Sequence, residues 1–135
     1  MPCKICQIKP VIKIPNNPRK VCKRCFLEYF EKKVRKNIRV NKLITKKDIV
    51  AVGLSGGKDS LTCLDILSRV IHDKKRLFAI AIDEGIHGYR SITLKDARKF
   101  CKEKNIKLNI FSYKKEFGKT LDEIVKILKV NPCMV

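Results

Sequence analysis

The chain has 135 residues and carries 32 Lys plus Arg against 13 Asp plus Glu, a formal net charge of +19. That length suits one modest α/β domain with a small appendage, and 44% hydrophobic residues exclude wholesale disorder. No apolar run approaches the roughly 18 residues that cross a bilayer, and the opening Met1-Pro2-Cys3-Lys4 lacks a signal-peptide core, so a cytoplasmic location with no membrane partner is expected.

Residues 1–25 hold Cys3-x-x-Cys6, fifteen intervening residues, then Cys22-x-x-Cys25. Seven cysteines without a secretory signal argue for metal or redox chemistry rather than disulfides. Two thiolate pairs on tight knuckles give a tetrahedral four-sulfur set, for which zinc in a structural role is expected over iron. Pro10, Pro15 and Pro18 make the intervening stretch turn-rich and exclude a helix there. From Phe26 to about residue 42, Phe26, Phe30, Val34 and Ile38 recur at four-residue spacing among Lys32, Lys33, Arg35, Lys36 and Arg39. That pattern predicts a basic amphipathic helix, either a solvated face or a contact to RNA phosphates.

The rest alternates strand and helix. The apolar run over 48–54 predicts a first buried strand, and 58–72 a helix with Leu61, Leu64, Leu67, Val70 and Ile71 inward. Residues 77–83 predict a second strand, 91–104 a helix with Leu94, Ala97, Phe100 and Cys101 on one face, and 107–113 a third strand. A last helix spans 120–128, with Thr120 as its N-cap. Such alternation implies a parallel, right-handed βαβ sheet. Cys63 and Cys101 are expected as core thiols, and no role is assigned to His72 or His87 beyond structure.

Between the first strand and its helix stands Ser55-Gly56-Gly57-Lys58-Asp59-Ser60. A turn there leaves backbone N–H groups unpaired at a helix N-terminus, and the helix dipole favours an anion beside them. Glycines let the backbone approach a phosphate, and Ser55, Lys58 and Ser60 add donors. A Walker A loop is disfavoured: Lys58 is followed by Asp59, and Gly53 and Gly57 stand one residue too close. After the second strand comes Asp83-Glu84-Gly85-Ile86-His87-Gly88-Tyr89-Arg90. Ligands of open parallel sheets bind beyond the carboxyl ends of the strands, which sets the two loops side by side. Backbone near Ile80, Ile82, Gly53 and Leu54 would frame an adenine, with Tyr89 or Arg90 capping the nucleotide; a plain connecting loop is the other reading.

The 55–60 segment resembles the PP-loop of ATP pyrophosphatases, which cleave ATP between the α and β phosphates and cradle the leaving pyrophosphate. The resemblance implies ATP contacts from Gly53, Leu54, Ser55, Gly56, Gly57, Lys58, Asp59 and Ser60, with Asp59 catalytic through magnesium or through the loop's orientation. The cysteine knuckles, the 55–60 loop and Asp83-Glu84-Gly85-Ile86-x-Gly88-Tyr89-Arg90 follow the order found in tRNA 2-thiolation enzymes of the TtuA/TtcA family. That likeness implies an adenine nucleotide alpha hydrolase-like, Rossmann-like fold behind a zinc ribbon. It also implies a reaction: ATP adenylates a pyrimidine C2 oxygen of tRNA, and sulfur then replaces that oxygen. The implied cofactors are ATP, Mg2+, Zn2+ and a [4Fe–4S] cluster; the implied partners are tRNA and a ubiquitin-like sulfur carrier, with a homodimer as an allowed assembly. Pro132-Cys133 is similar to the start of the family's cluster-binding pair, which would make Cys133 a catalytic cluster ligand, although its partner cysteines are absent.

Three parts are therefore expected: a zinc module over 1–25, a basic connecting helix over 26–46, and the N-terminal half of a PP-loop domain over 47–135. With only strands one to three of an expected 3-2-1-4-5 order, strand one becomes an edge and half of the nucleotide crevice is missing. The expectation is the N-terminal part of a longer protein, incomplete for catalysis. Two rival functions stand beside thiolation: an amidating or lysidine-forming PP-loop ligase, and a zinc-ribbon RNA-binding protein with a vestigial nucleotide loop.

Overall fold

The computed structural model describes residues 3, 5–15 and 18–129. It divides into two compact units, Met1–Lys46 and Lys47–Val135.

The first unit is built on sulfur. Strands β1 (Ile12–Lys13) and β2 (Lys20–Val21) pair antiparallel, with Ile12 opposite Val21. This short hairpin occupies the proline-rich stretch that sequence reading assigned only to turns. Helix α1 (Lys23–Val40) starts three residues earlier than its apolar spacing suggested, so Cys25 lies inside its first turn. Only Cys25 is buried along its whole length; Phe26 and Tyr29 pack half-buried on the cysteines, and Phe30 is exposed. The core comprises Cys3, Ile14, Val21, Cys22 and Cys25. Two aliphatic side chains offset little of the chain entropy of such a segment, and the four cysteines around them form a set that could hold a metal ion.

The second unit holds a parallel sheet in the order β3-β4-β5: β3 (Val50–Gly53), β4 (Leu77–Asp83) and β5 (Lys107–Ser112). As expected, the first of these strands stands at the sheet edge. Its apolar run predicts burial on both faces, but only Val52 is buried, while Ala51 and Gly53 are exposed. Among the described residues, one face of the sheet is covered. On it, Leu77, Ala79 and Ala81 alternate inward from β4, against Leu64 and Ile66 of α2 (Lys58–Val70) and Leu94, Ala97 and Cys101 of α3 (Arg90–Glu103). On the opposite face, Ile82 and its register partner Phe111 are 43% and 49% exposed.

Two expectations about side chains fail here. Cys63 projects to solvent rather than into the core, because Leu64 and Ile66 take the inward positions beside it. Tyr113 does not continue the third strand: it opens a short helix, α4 (Tyr113–Phe117), closed by Gly118 at φ 73°. The last helix, α5 (Leu121–Leu128), carries the expected N-cap as a full capping box. Thr120 accepts from Glu123 N (3.2 Å), and the Glu123 carboxylate accepts from Thr120 N (2.8 Å). Helices α2 and α3 are tied by Asp65, which pairs with Lys104 Nζ at 2.7 Å and with Arg69 one turn away.

Candidate functional site

In the first unit, the Sγ atoms of Cys3, Cys6, Cys22 and Cys25 all lie within 4.8 Å of one another, with Cys6–Cys22 at 3.4 Å and Cys6–Cys25 at 3.6 Å. A metal–sulfur bond of about 2.3 Å sets tetrahedral sulfurs about 3.8 Å apart, so one ion fits among them. The Cys3 loop folds back on itself: Cys3 N donates to Ile8 O, and Gln7 N to Cys3 O. Burial works against a Cys3 thiolate, yet N–H donors of Cys22, Ile5 and Cys6 outweigh it and bring the group down to about 6. Cys25 goes the other way: burial and the neighbouring sulfurs push it up to about 12. One sulfur therefore ionises readily and the last resists, unless a cation supplies the missing charge.

In the second unit, the 55–60 loop turns between the end of β3 and the start of α2. Leu54 N donates to Ile80 O (2.7 Å), pinning the loop entrance to β4. Gly56 adopts φ +86°, and a Cβ there would stand 2.4 Å from Thr93 Cβ, so only glycine passes. Gly57 is the α2 N-cap without any side-chain cap, which leaves first-turn N–H groups directed outward. Ser55 Oγ accepts from Gly57 N (3.3 Å) and lies 3.2 Å from Ser60 Oγ, which donates to Gly57 O (3.0 Å). These hydroxyls close the loop on itself. Lys58 and Asp59 reach into solvent, 88% and 93% exposed, with Nζ and Oδ1 3.5 Å apart. Nothing in the protein occupies either of them beyond that weak contact among the described residues.

The loop after β4 lies against the same ground. Asp83 Oδ1 accepts from Gly85 N (3.1 Å). Its far side is held by α5: Leu121 N donates to Glu84 O (2.8 Å), and His87 N to Asp122 Oδ2 (2.9 Å). Gly85, at φ +74°, leaves 2.5 Å between a hypothetical Cβ and Thr120 Cγ2. Tyr89 is 60% exposed and available to a ligand. Arg90 is not: it is 5% exposed, with Nη1 donating to Ser55 O (2.6 Å), Nη2 to Ile82 O, and Nε paired with Glu84 Oε2 at 2.8 Å. Within the backbone expected to frame an adenine, Ile80 O accepts from Leu54 N and Ile82 O from Arg90 Nη2.

Sequence reading placed the two loops together but missed what joins them. Arg90, Thr93 and Glu84 make the join, and no spacing rule marks an arginine at a helix start as buried. Cys133 lies outside the described residues. A cavity of about 670 Å³ sits at the other end of the sheet, between Lys74, Lys107 and Cys101. Parallel sheets bind ligands at the carboxyl ends of their strands, so the phosphate loop and not this cavity is the candidate site.

The PP-loop domain family matches residues 27–127, and the chain belongs to it. Within that family the chain is similar to proteins of tRNA sulfur chemistry. It is 38% identical over 130 residues to cytoplasmic tRNA 2-thiolation protein 1 of Dictyostelium discoideum, covering 92% of this chain and 36% of the relative. The Arabidopsis thaliana protein of the same name is 38% identical, over 93% of this chain and 37% of its own length. The chain therefore spans little more than a third of these relatives. Among solved structures, the U34-tRNA thiolase NcsA from Methanococcus maripaludis with its [4Fe–4S] cluster superposes with a TM-score of 0.82 at 35% identity, over 99% of this chain and 44% of that one. An NH3-dependent NAD synthetase from Campylobacter jejuni shares the fold alone, with a TM-score of 0.52 at 21% identity.

Proposed function

We propose that this protein serves ATP-dependent 2-thiolation of tRNA, with the 55–60 loop holding the pyrophosphate that leaves ATP. The observation that carries the reading is a loop of outward-facing N–H groups at an uncapped helix start, closed by Ser55 and Ser60 and flanked by a solvent-facing Lys58 and Asp59. In the first step the uridine C2 oxygen attacks the α-phosphorus; the new P–O bond forms as the α–β bridge breaks and pyrophosphate departs. In the second, the terminal sulfur of a carrier thiocarboxylate attacks C2 and AMP leaves with the oxygen; water then cleaves the carrier's acyl C–S bond, releasing the carrier as its carboxylate and leaving 2-thiouridine. The loop's N–H groups and Lys58 stabilise charge on the departing phosphates. Asp59 offers one carboxylate to Mg2+, an ion that takes one or two carboxylates alongside phosphate oxygens. Tyr89 supplies an exposed ring beside the nucleotide.

The four-cysteine set suits Zn2+ in a structural role. Its sulfurs are too close together to enclose a four-iron cube, and the family resemblance assigns the iron–sulfur cluster to Cys133 instead. The net charge of +19 supports tRNA as the polyanion, with the exposed Lys32, Lys33 and Lys36 of α1 among the phosphate contacts. A ubiquitin-like sulfur carrier and a homodimeric assembly complete the proposal on the family resemblance alone, and a cytoplasmic location on the name of the relatives.

The test supplies the protein with ATP, Mg2+, tRNA and a thiocarboxylated carrier protein. Equimolar AMP and pyrophosphate with 2-thiouridine in the digested tRNA are expected. Nitrogen in the modified nucleoside would move the protein to amidating ligases, and salt-dependent tRNA binding without any ATP binding would leave an RNA-binding module.

A further inference from the structure

Arg90 is an arginine beside a phosphate site that turns its charge away from the phosphate. Its guanidinium is buried and meets Ser55 O, Ile82 O and Glu84 Oε2, three oxygens of the protein itself. Glu84 neutralises it locally, so its long-range pull on an anion is weak. The Ser55 contact has a geometric consequence. A trans peptide is planar, and its C=O and N–H point in opposite directions. Holding Ser55 O against Arg90 therefore aims Gly56 N–H away from Arg90. Gly56, at φ +86°, is the one residue type for which rotating that peptide carries no Cβ penalty, so the orientation needs an outside restraint. A rotated peptide would present a carbonyl oxygen to the anion in place of a donor. Thr93 packs under Gly56 and accepts from Arg90 Nη1 at 3.3 Å, closing the same restraint from below.

We infer that Arg90 is a positioning residue: it fixes the Ser55–Gly56 peptide with its N–H toward the pyrophosphate and locks the phosphate loop to the carboxyl end of β4. The inference rests on the 55–60 loop being a pyrophosphate site. A bidentate fork is required, because two carbonyls on different elements are bridged at once. Lysine keeps the charge but offers a single donor centre and cannot span them.

The experiment measures inorganic pyrophosphate and ATP affinity by calorimetry for the zinc-loaded chain and for Arg90→Lys, with amide NMR of Gly56 in the ligand-free state. Arg90→Lys is expected to lose about tenfold or more in pyrophosphate affinity, to keep the wild-type salt dependence, and to shift the Gly56 amide before any ligand is added. Full rescue by lysine would identify Arg90 as a simple cation and overturn the inference. Wild-type failure to bind pyrophosphate would overturn the underlying reading as well, and is distinguished because it appears without any substitution. If Arg90→Lys does not fold, the wild-type chain supplies the second measurement, amide NMR during a pyrophosphate titration. The Gly56 amide is expected to shift together with those of Lys58, Asp59 and Ser60. A Gly56 amide that stays in place while the other three move would overturn the inference.

Discussion

At the scale of single residues, the positions that matter most are those where a backbone conformation and a close neighbour coincide. Gly85 combines φ +74° with Thr120 Cγ2 2.5 Å from a hypothetical Cβ. Gly85→Ala should destabilise the second unit by about 1–3 kcal/mol, seen as a lowered urea midpoint, because both the turn and α5 must shift. The same kind of coincidence at Gly56 and Thr93 explains why the phosphate loop takes glycine there. Glycine at both places was legible as loop chemistry, but the partner that forbids a side chain was not. Thr93 and Thr120 are far away in sequence, and nothing in their own surroundings marks them. Cys63 shows the reverse error: an apolar-looking helix position proved exposed because its neighbours face the sheet instead.

At the scale of elements, periodicity marked α1, the three parallel strands and helices α2, α3 and α5, but not the β1–β2 hairpin or α4, and element ends followed from chemistry that periodicity does not carry. Helix α5 starts where Thr120 and Glu123 cap each other, and that start was readable. Thr120→Ala should cost about 1 kcal/mol, measured as a drop in thermal midpoint, because Glu123 N loses its hydroxyl acceptor, while the backbone N–H of residue 120 remains and still holds the Glu123 carboxylate below its ordinary value. The α2–α3 junction titrates. Burial works against the Asp65 carboxylate, but Lys104 and Arg69 outweigh it and hold its pKa below the ordinary value. A group depressed in the folded state stabilises above its unfolded pKa, about 3.9, and loses that contribution as pH falls through the folded value. Urea midpoints at neutral pH and near pH 3 should therefore differ less for Asp65→Asn than for the wild type. An unchanged pH response in the variant would show the junction to be held by packing alone. Strand β5 ends at Ser112, one residue short of its apolar pattern, since Tyr113 turns into α4 and stacks edge-on against Phe117 at 5.4 Å.

At the scale of the whole molecule, two units obey different physics. The first has a core of cysteines with two aliphatic residues; the second has a sheet with one face covered among the described residues. Chelation of metal should unfold 1–46 while 47–135 keeps its helical signal, giving partial rather than complete loss in circular dichroism. Loss of all structure on chelation would mean that the sheet unit depends on the cysteine unit for its fold. Among the described residues, Ile82 and Phe111 stand exposed on the second sheet face and β3 lies at the sheet edge.

By itself the sequence determined the chemistry on offer: four thiols at knuckle spacing, a glycine-containing loop between strand and helix, and a net charge of +19. It did so because each rests on short-range spacing and residue type, which a linear string records. Only the tertiary structure decided which side chains face the ligand and which face the protein. Arg90 stands in a motif that invites a role as a nucleotide contact, yet its guanidinium spans Ser55 and Ile82, 35 and 8 residues away. Burial and partner choice at that position are set by long-range packing of β3, β4 and α3, and no local pattern encodes them.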